Sequence, residues 1–157
     1  MSARVTNGQS YVVFPLGDRR FALPTADVVE LSRSGRVQKF PHTSSALEGV
    51  LVRRGEVLPV WNLARTLVGC PDMIQKMWLV TRCNFSGEEL TAIPVSGECQ
   101  MVQAQTLLPS QDTSGRAQGV IMMDNHPIEV LDVQRLRTDG GLQDSGKAPR
   151  EEKGKTL

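Results

Sequence analysis

GVLVRRGEVLPVWNL, residues 49–63, aligns without a gap on GVIMMDNHPIEVLDV, residues 119–133. The offset is 119 − 49 = 70, and the same offset carries FALP at 21–24 onto TAIP at 91–94. About half of the paired positions are identical or similar. Two separate blocks that share one spacing mark a small folding unit used twice, and that decides the architecture.

Working outward, Gly49 to Val52, a turn around Arg54-Gly55, and Val57 to Val60 predict a hairpin. Asn62 stands as an N-cap for a short helix over Leu63 to Val68, with Gly69 as its stop and Pro71 just beyond. The second copy repeats this plan. Gly119 to Met122, a turn at Asp124-Asn125, and Ile128 to Leu131 form the hairpin, and Asp132 caps a helix over Val133 to Arg137. Upstream, YVVF at 11–14, Gly17-Asp18 and FAL at 21–23 predict a hairpin whose second strand Pro24 ends or places at a sheet edge. Its counterpart is Trp78 to Thr81, a turn at Ser86-Gly87, and Leu90 to Ile93 before Pro94. Thr25 to Leu31 fits either one helical turn or a short strand, because so few residues carry no period. Ser32 to Arg36 reads as a polar loop and Pro41 to Glu48 as a turn-rich link. Many short strands with brief helices predict an all-β sandwich or barrel pair. A half too small to close its own core is expected to pack on, or trade strands with, the other half. Residues 1–9 are expected to be a flexible N-terminus, 10–138 the folded domain, and 139–157 a disordered tail. That tail is rich in Gly, Lys, Glu, Asp and Ser and cannot bury enough apolar area to offset its ordering entropy.

The chain has 157 residues, 39% apolar content, and 18 basic against 17 acidic side chains, for a formal net charge of +1. That supports a real core and argues against duplex nucleic acid or an anionic membrane as partner, since either calls for a basic face. No stretch approaches the ~20 apolar residues of a membrane span. MSARVTNGQS lacks the apolar segment of a signal peptide. The three cysteines, Cys70, Cys83 and Cys99, form no CxxC pair and suit a reducing compartment. The expectation is a cytoplasmic protein, and the short chain with its own Met1 reads as free-standing.

Residues that could carry chemistry are sparse. His42 and His126 lie in turns without HxxxH or HExxH spacing and read as surface histidines. The cysteines lack paired zinc-ligand spacing and read as small hydrophobes. There is no phosphate-binding glycine loop and no GxSxG. No catalytic residue, metal or cofactor is expected. Trp61 and Trp78 sit in apolar runs and belong to the core. Arg53-Arg54 is either a solvated hairpin tip or a contact in which a guanidinium meets a carboxylate or carbonyl.

The string EGVLVRRGEVLPVWNLARTL, preceded by YVVFPLGDRRFALPTADVVEL, resembles the CheW family of chemotaxis adaptors. Gly49, Val50, Arg54, Gly55, Pro59, Val60 and Leu63 meet one family block, and Val28, Glu30 and Leu31 meet the end of another. The likeness runs from about Tyr11 to Arg137. Val52, Arg53, Asn62 and Ala64 depart from the family's Asn, Leu, Asp and Arg. These departures leave flagellar chemotaxis and a pilus or surface-motility system both open. The resemblance implies two intertwined five-stranded SH3-like barrels and no catalytic site. It also implies two partners: the regulatory domain of a CheA-type histidine kinase, and the cytoplasmic tip of a methyl-accepting chemoreceptor. Carried over, Arg54, Gly55, Arg53, Val28, Val29 and Glu30 are the expected partner-binding residues. Three rivals remain. One is a β-barrel that binds a small ligand in an apolar cavity; another is an enzyme whose site gathers His42, Cys83 or His126; the third is a regulatory domain severed from a kinase.

Overall fold

The computed structural model describes residues 4–33, 35–39, 47–69, 73–82, 89–111 and 115–139. The first half supplies β1 (Arg4–Leu16), β2 (Arg19–Pro24), β3 (Val28–Ser32), β4 (Arg36–Lys39), β5 (Leu47–Arg53) and β6 (Glu56–Trp61). The second half supplies β7 (Met77–Arg82), β8 (Leu90–Val95), β9 (Gln100–Leu107), β10 (Ala117–Met123), β11 (His126–Leu131) and the helix α1 (Val133–Asp139). A 3-10 turn occupies Thr25–Asp27 and a π-helical turn Ala64–Val68. Thr25 to Leu31 is therefore both of the things its sequence allowed, a turn and then a strand.

The strands form two curled sheets, ordered β10-β11-β2-β1-β9 and β3-β7-β8-β6-β5-β4. Each is assembled from both halves. The β1–β2 hairpin of the first half joins β10–β11 of the second, and the β7–β8 hairpin of the second joins β5–β6 of the first. The joins are parallel and sit at equivalent places, Val130 against Ala22 and Val60 against Ala92. Both differences are again 70 (130 − 60 and 92 − 22). The expected trading of strands is thus an exchange of hairpins.

The interiors repeat as well. One barrel encloses Tyr11, Val13, Ala22, Ile121, Ile128 and Val130. The other encloses Trp78, Val80, Ala92, Leu51, Leu58 and Val60 in the matching places. Both barrels are filled by side chains, so apolar burial holds each one closed. Between them lies a third core that includes Phe14, Phe21, Leu23, Trp61, Leu79, Ile93, Leu131 and Leu136. The halves cannot separate without exposing it. Both tryptophans are buried, as their apolar runs predicted.

Gly49 and Gly119 occupy one geometric niche. A Cβ on Gly49 would stand 2.4 Å from the Gln38 carbonyl oxygen, and one on Gly119 would stand 2.5 Å from Leu107 Cγ and 2.8 Å from the Leu108 oxygen. In each barrel this is where β5 or β10 folds tightly over its neighbour, next to a register shift. Only glycine fits there.

The second sheet counts six strands for five strand positions, because one strand is broken between Ser32 and Arg36 into β3 and β4, and two expectations change. Gly35 sits in the break at φ 142°, with room for a Cβ denied by Leu51. In the other barrel β9 runs unbroken through the same position. β1 begins at Arg4 and pairs from there with Leu107 of β9, so the segment expected to be flexible over 1–9 is a strand from Arg4 onward. The strand β9 was not anticipated. Its sequence, QMVQAQTL, does alternate, with Val102, Ala104 and Thr106 less exposed than the residues between them. The Ser86-Gly87 turn, the stretch 41–46, Pro71, His42, Cys70, Cys83 and the tail from 140 onward lie outside the described residues.

Candidate functional site

The turn joining β5 and β6 has two central residues, Arg54 at φ 52° and Gly55 at φ 78°. Two successive positive φ values give the tight hairpin turn whose twist matches its strands. The other barrel uses Asp124 (φ 51°) and Asn125 (φ 66°) in the same place. Asp and Asn tolerate that conformation, whereas an arginine in it is disfavoured by about 1 kcal/mol. Arg54 is thus held in a costly backbone state with its side chain 73% exposed.

Arg53 goes the other way. It shares the inward face of β5 with Gly49 and Leu51, and its side chain is only 6% exposed. Its Nε donates to Glu30 Oε2 at 2.8 Å, and its Nη2 meets Glu30 Oε1 at 2.5 Å. Nη1 reaches Glu56 at 3.4 Å. This is the paired fork geometry in which guanidinium and carboxylate bind best. Arg54 Nη1 adds a contact to the same Glu30 at 3.3 Å. The hydrogen bond from Arg53 holds the Glu30 carboxyl below its ordinary pKa, against a smaller opposing effect of desolvation, and the same bond raises Arg53. Both stay charged. The pair ties β3 to the β5–β6 tip. The equivalent positions of the other barrel hold Gln100 and Met123, the latter packed on the barrel core.

The six expected contact residues therefore separate. Arg54 and Gly55 form the exposed tip, and a Cβ on Gly55 would meet nothing within 4 Å. Val29 is 37% exposed on the outer face of β3, and Leu31, two residues on, is 42% exposed. Val28 packs against the central core. Glu30 and Arg53 are the brace behind the tip, and the guanidinium expected on the surface at Arg53 is turned inward. Period-2 alternation from Gly49 through Leu51 carries that signal in the sequence. Val52 and Val57 are cross-strand partners and both exposed, as alternation along β5 could have shown.

Nearby caps explain one departure from the resembled family. Asn62 Oδ1 accepts the Arg65 backbone N–H at 3.1 Å, while its Nδ2 donates to Glu48 at 3.0 Å. An aspartate could cap equally well but would set a second carboxylate against Glu48. Asp132 has the same capping role in the other half, accepting from the Gln134 backbone N–H at 3.0 Å.

Among the described residues no group of three His, Cys, Asp or Glu side chains is gathered to hold a metal ion. Cys99 packs beside the central core, and burial first, then Glu98, pushes its thiol up to about 11. His126 lies at an exposed hairpin end. No helix among the described residues is long and apolar enough to cross a membrane.

Comparison with known proteins agrees with this geometry. A scaffolding protein, TtCheW from Thermoanaerobacter tengcongensis, has a similar fold. The TM-score is 0.68 at 20% identity, over 82% of this chain and 92% of that one. Protein FrzA of Myxococcus xanthus is 39% identical over 67 residues, which is 43% of this chain and 42% of that protein. The match thus spans less than half of the length of that curated relative. The family model described as the CheW-like domain matches residues 10–140. With nearly the whole described fold inside that match, the chain belongs to the CheW-like domain family.

Proposed function

We propose that this protein is a non-catalytic cytoplasmic adaptor that couples the cytoplasmic tip of a methyl-accepting chemoreceptor to the regulatory domain of a CheA-type histidine kinase. The observation that carries this reading is Arg54. A guanidinium in a disfavoured backbone state, braced from behind by a part-buried ion pair and flanked by exposed Val29 and Leu31, is built for contact rather than for folding. Exposed aliphatic residues beside one pre-oriented charge are the ingredients of a protein interface: an apolar centre with a polar rim. The likeness to FrzA of Myxococcus xanthus supports an adaptor role in a chemosensory system. An adaptor works by raising the effective concentration of one partner near the other, so it needs two docking faces and no reacting group.

The small-ligand reading has less to stand on, because both barrel interiors are occupied by the side chains named above. The test is calorimetric titration of the purified chain with a CheA-type regulatory domain and with a soluble receptor tip. Arg54→Asp is expected to weaken at least one of the two interactions tenfold or more, with the fold intact by circular dichroism. Unchanged affinity for both removes Arg54 from the interface.

A further inference from the structure

The two hairpin tips are geometric equivalents, yet only one has an ion pair at its base. In the first barrel the tip Arg54-Gly55 follows Arg53, which pairs with Glu30. In the second the tip Asp124-Asn125 follows Met123, and Gln100 takes the place of Glu30. Both barrels close with the same hairpin, so the fold itself does not require an ion pair at this place. The pair occurs where the tip is an arginine.

The donors of the two neighbouring arginines are unequally used. All three nitrogens of the Arg53 guanidinium are engaged: Nε donates to Glu30 Oε2 at 2.8 Å, Nη2 meets Glu30 Oε1 at 2.5 Å, and Nη1 reaches Glu56 Oε1 at 3.4 Å. Arg54 has one contact among the described residues, Nη1 to the same Glu30 Oε1 at 3.3 Å. Its Nε and Nη2, the edge with which a guanidinium grips a planar acceptor side-on, meet no acceptor among them. Arg53 thus holds the side-on seat on Glu30, and Arg54 shares one oxygen. The effects on the carboxyl agree: the Arg53 hydrogen bond lowers its pKa most, and the Arg54 charge adds the smallest part.

We propose that Arg53 is a positioning residue for the partner contact: by occupying Glu30 it keeps Arg54 from folding back, so that the open edge of Arg54 is presented to the bound protein. Without Arg53, Glu30 would be a carboxylate only 20% exposed beside a guanidinium already touching it, and the two would close into a side-on pair of their own. Arg54 would then have to break that pair before it could bind anything else, a cost that pre-organisation removes from the native chain. Arg53 has this role only if Arg54 is a contact of the adaptor, as proposed above.

The experiment pairs calorimetry with arginine side-chain NMR on the full chain, the probes being a CheA-type regulatory domain and a soluble receptor tip. In Arg53→Met, which copies Met123 of the other barrel, the Arg54 Nε–Hε resonance should shift and become protected from exchange with water. Affinity for the protein that Arg54→Asp also loses should fall about fivefold or more. Glu30→Gln/Arg53→Met removes the competing carboxylate as well, so Arg54 should be released and affinity should return to within about twofold of native. Arg53→Lys, which keeps a charge on Glu30 without the side-on grip, should fall between native and Arg53→Met, and it carries the comparison if Arg53→Met does not fold by its backbone amide spectrum. The role of Arg53 is overturned if the Arg54 resonance is unmoved, if the single variants bind as tightly as the native chain, or if the double variant stays as weak as Arg53→Met, which is the result expected of a merely structural support. If Arg54→Asp binds both proteins as well as the native chain, the adaptor contact itself falls and the role of Arg53 with it. Weakened Arg54→Asp binding beside an unmoved Arg54 resonance overturns the role of Arg53 alone.

Discussion

Removing one side of the Arg53–Glu30 pair is informative because the molecule contains its own alternative. Glu30→Gln leaves the Arg53 guanidinium 6% exposed with a neutral partner and a 3.4 Å contact to Glu56. Breaking a fully buried ion pair typically costs 3–5 kcal/mol. Here Glu30 is 20% exposed, Glu56 remains, and the new amide oxygen can still accept one bond, so the expected loss is about 2 kcal/mol. For a domain of this size that is a fall in Tm of about 8 °C. The double variant Glu30→Gln/Arg53→Met installs the Gln100 and Met123 of the other barrel, where the methionine packs on the core. Replacing both ions is often neutral, so the double variant should return to within about 1 kcal/mol of the native chain. Acid has a definite sign. The folded Glu30 has a lowered pKa, so its contribution is complete above the ordinary carboxylate range and is lost as pH falls through the folded value. The gap between native and Glu30→Gln should therefore narrow on acidification. Urea unfolding of the four members of the cycle measures all of this. A Glu30→Gln loss under about 0.5 kcal/mol, or a double variant as weak as the sum of the singles, refutes the reasoning.

Other consequences follow from the same geometry. Gly49→Ala sets a Cβ against a backbone oxygen and should cost about 3 kcal/mol; Gly119→Ala, which meets the movable Leu107 side chain as well as the Leu108 oxygen, should cost about 2, both read by urea unfolding. Arg54→Asn puts a tolerant residue in the left-handed position that Asp124 fills in the other turn; stability should hold or rise by about 1 kcal/mol while partner affinity falls, a split that calorimetry and unfolding together detect. With its pKa at about 11, Cys99 should hold only about a thousandth of its population as thiolate at pH 8, so alkylation mapped by peptide mass should be slow and should accelerate about tenfold per pH unit.

Much of this fold is legible in the chain because its devices are local and doubled. The hairpins at Arg54-Gly55 and Asp124-Asn125, the caps Asn62 and Asp132, and the αL stop at Gly69 (φ 73°) all lie where turn and cap chemistry put them. What is not legible is long-range pairing. Nothing in FALP says that Ala22 will lie parallel to Val130 rather than beside its own half, since two equivalent partners exist and shared packing decides between them. The strand β9 escapes notice because its inward residues, Val102, Ala104 and Thr106, are small and separated by glutamines, so its alternation is weak. At the site, the tip was visible and the brace was not. Glu30 and Arg53 are 23 residues apart, and only the curl of the sheet brings them together.

The central claim is a bridge that binds two different proteins at once. Analytical ultracentrifugation of this chain mixed with a CheA-type regulatory domain and a soluble receptor tip tests it directly. The account predicts a single species containing all three, lost with Arg54→Asp. Competition between the two partners for one place on the chain, or the absence of any complex with either, would contradict it.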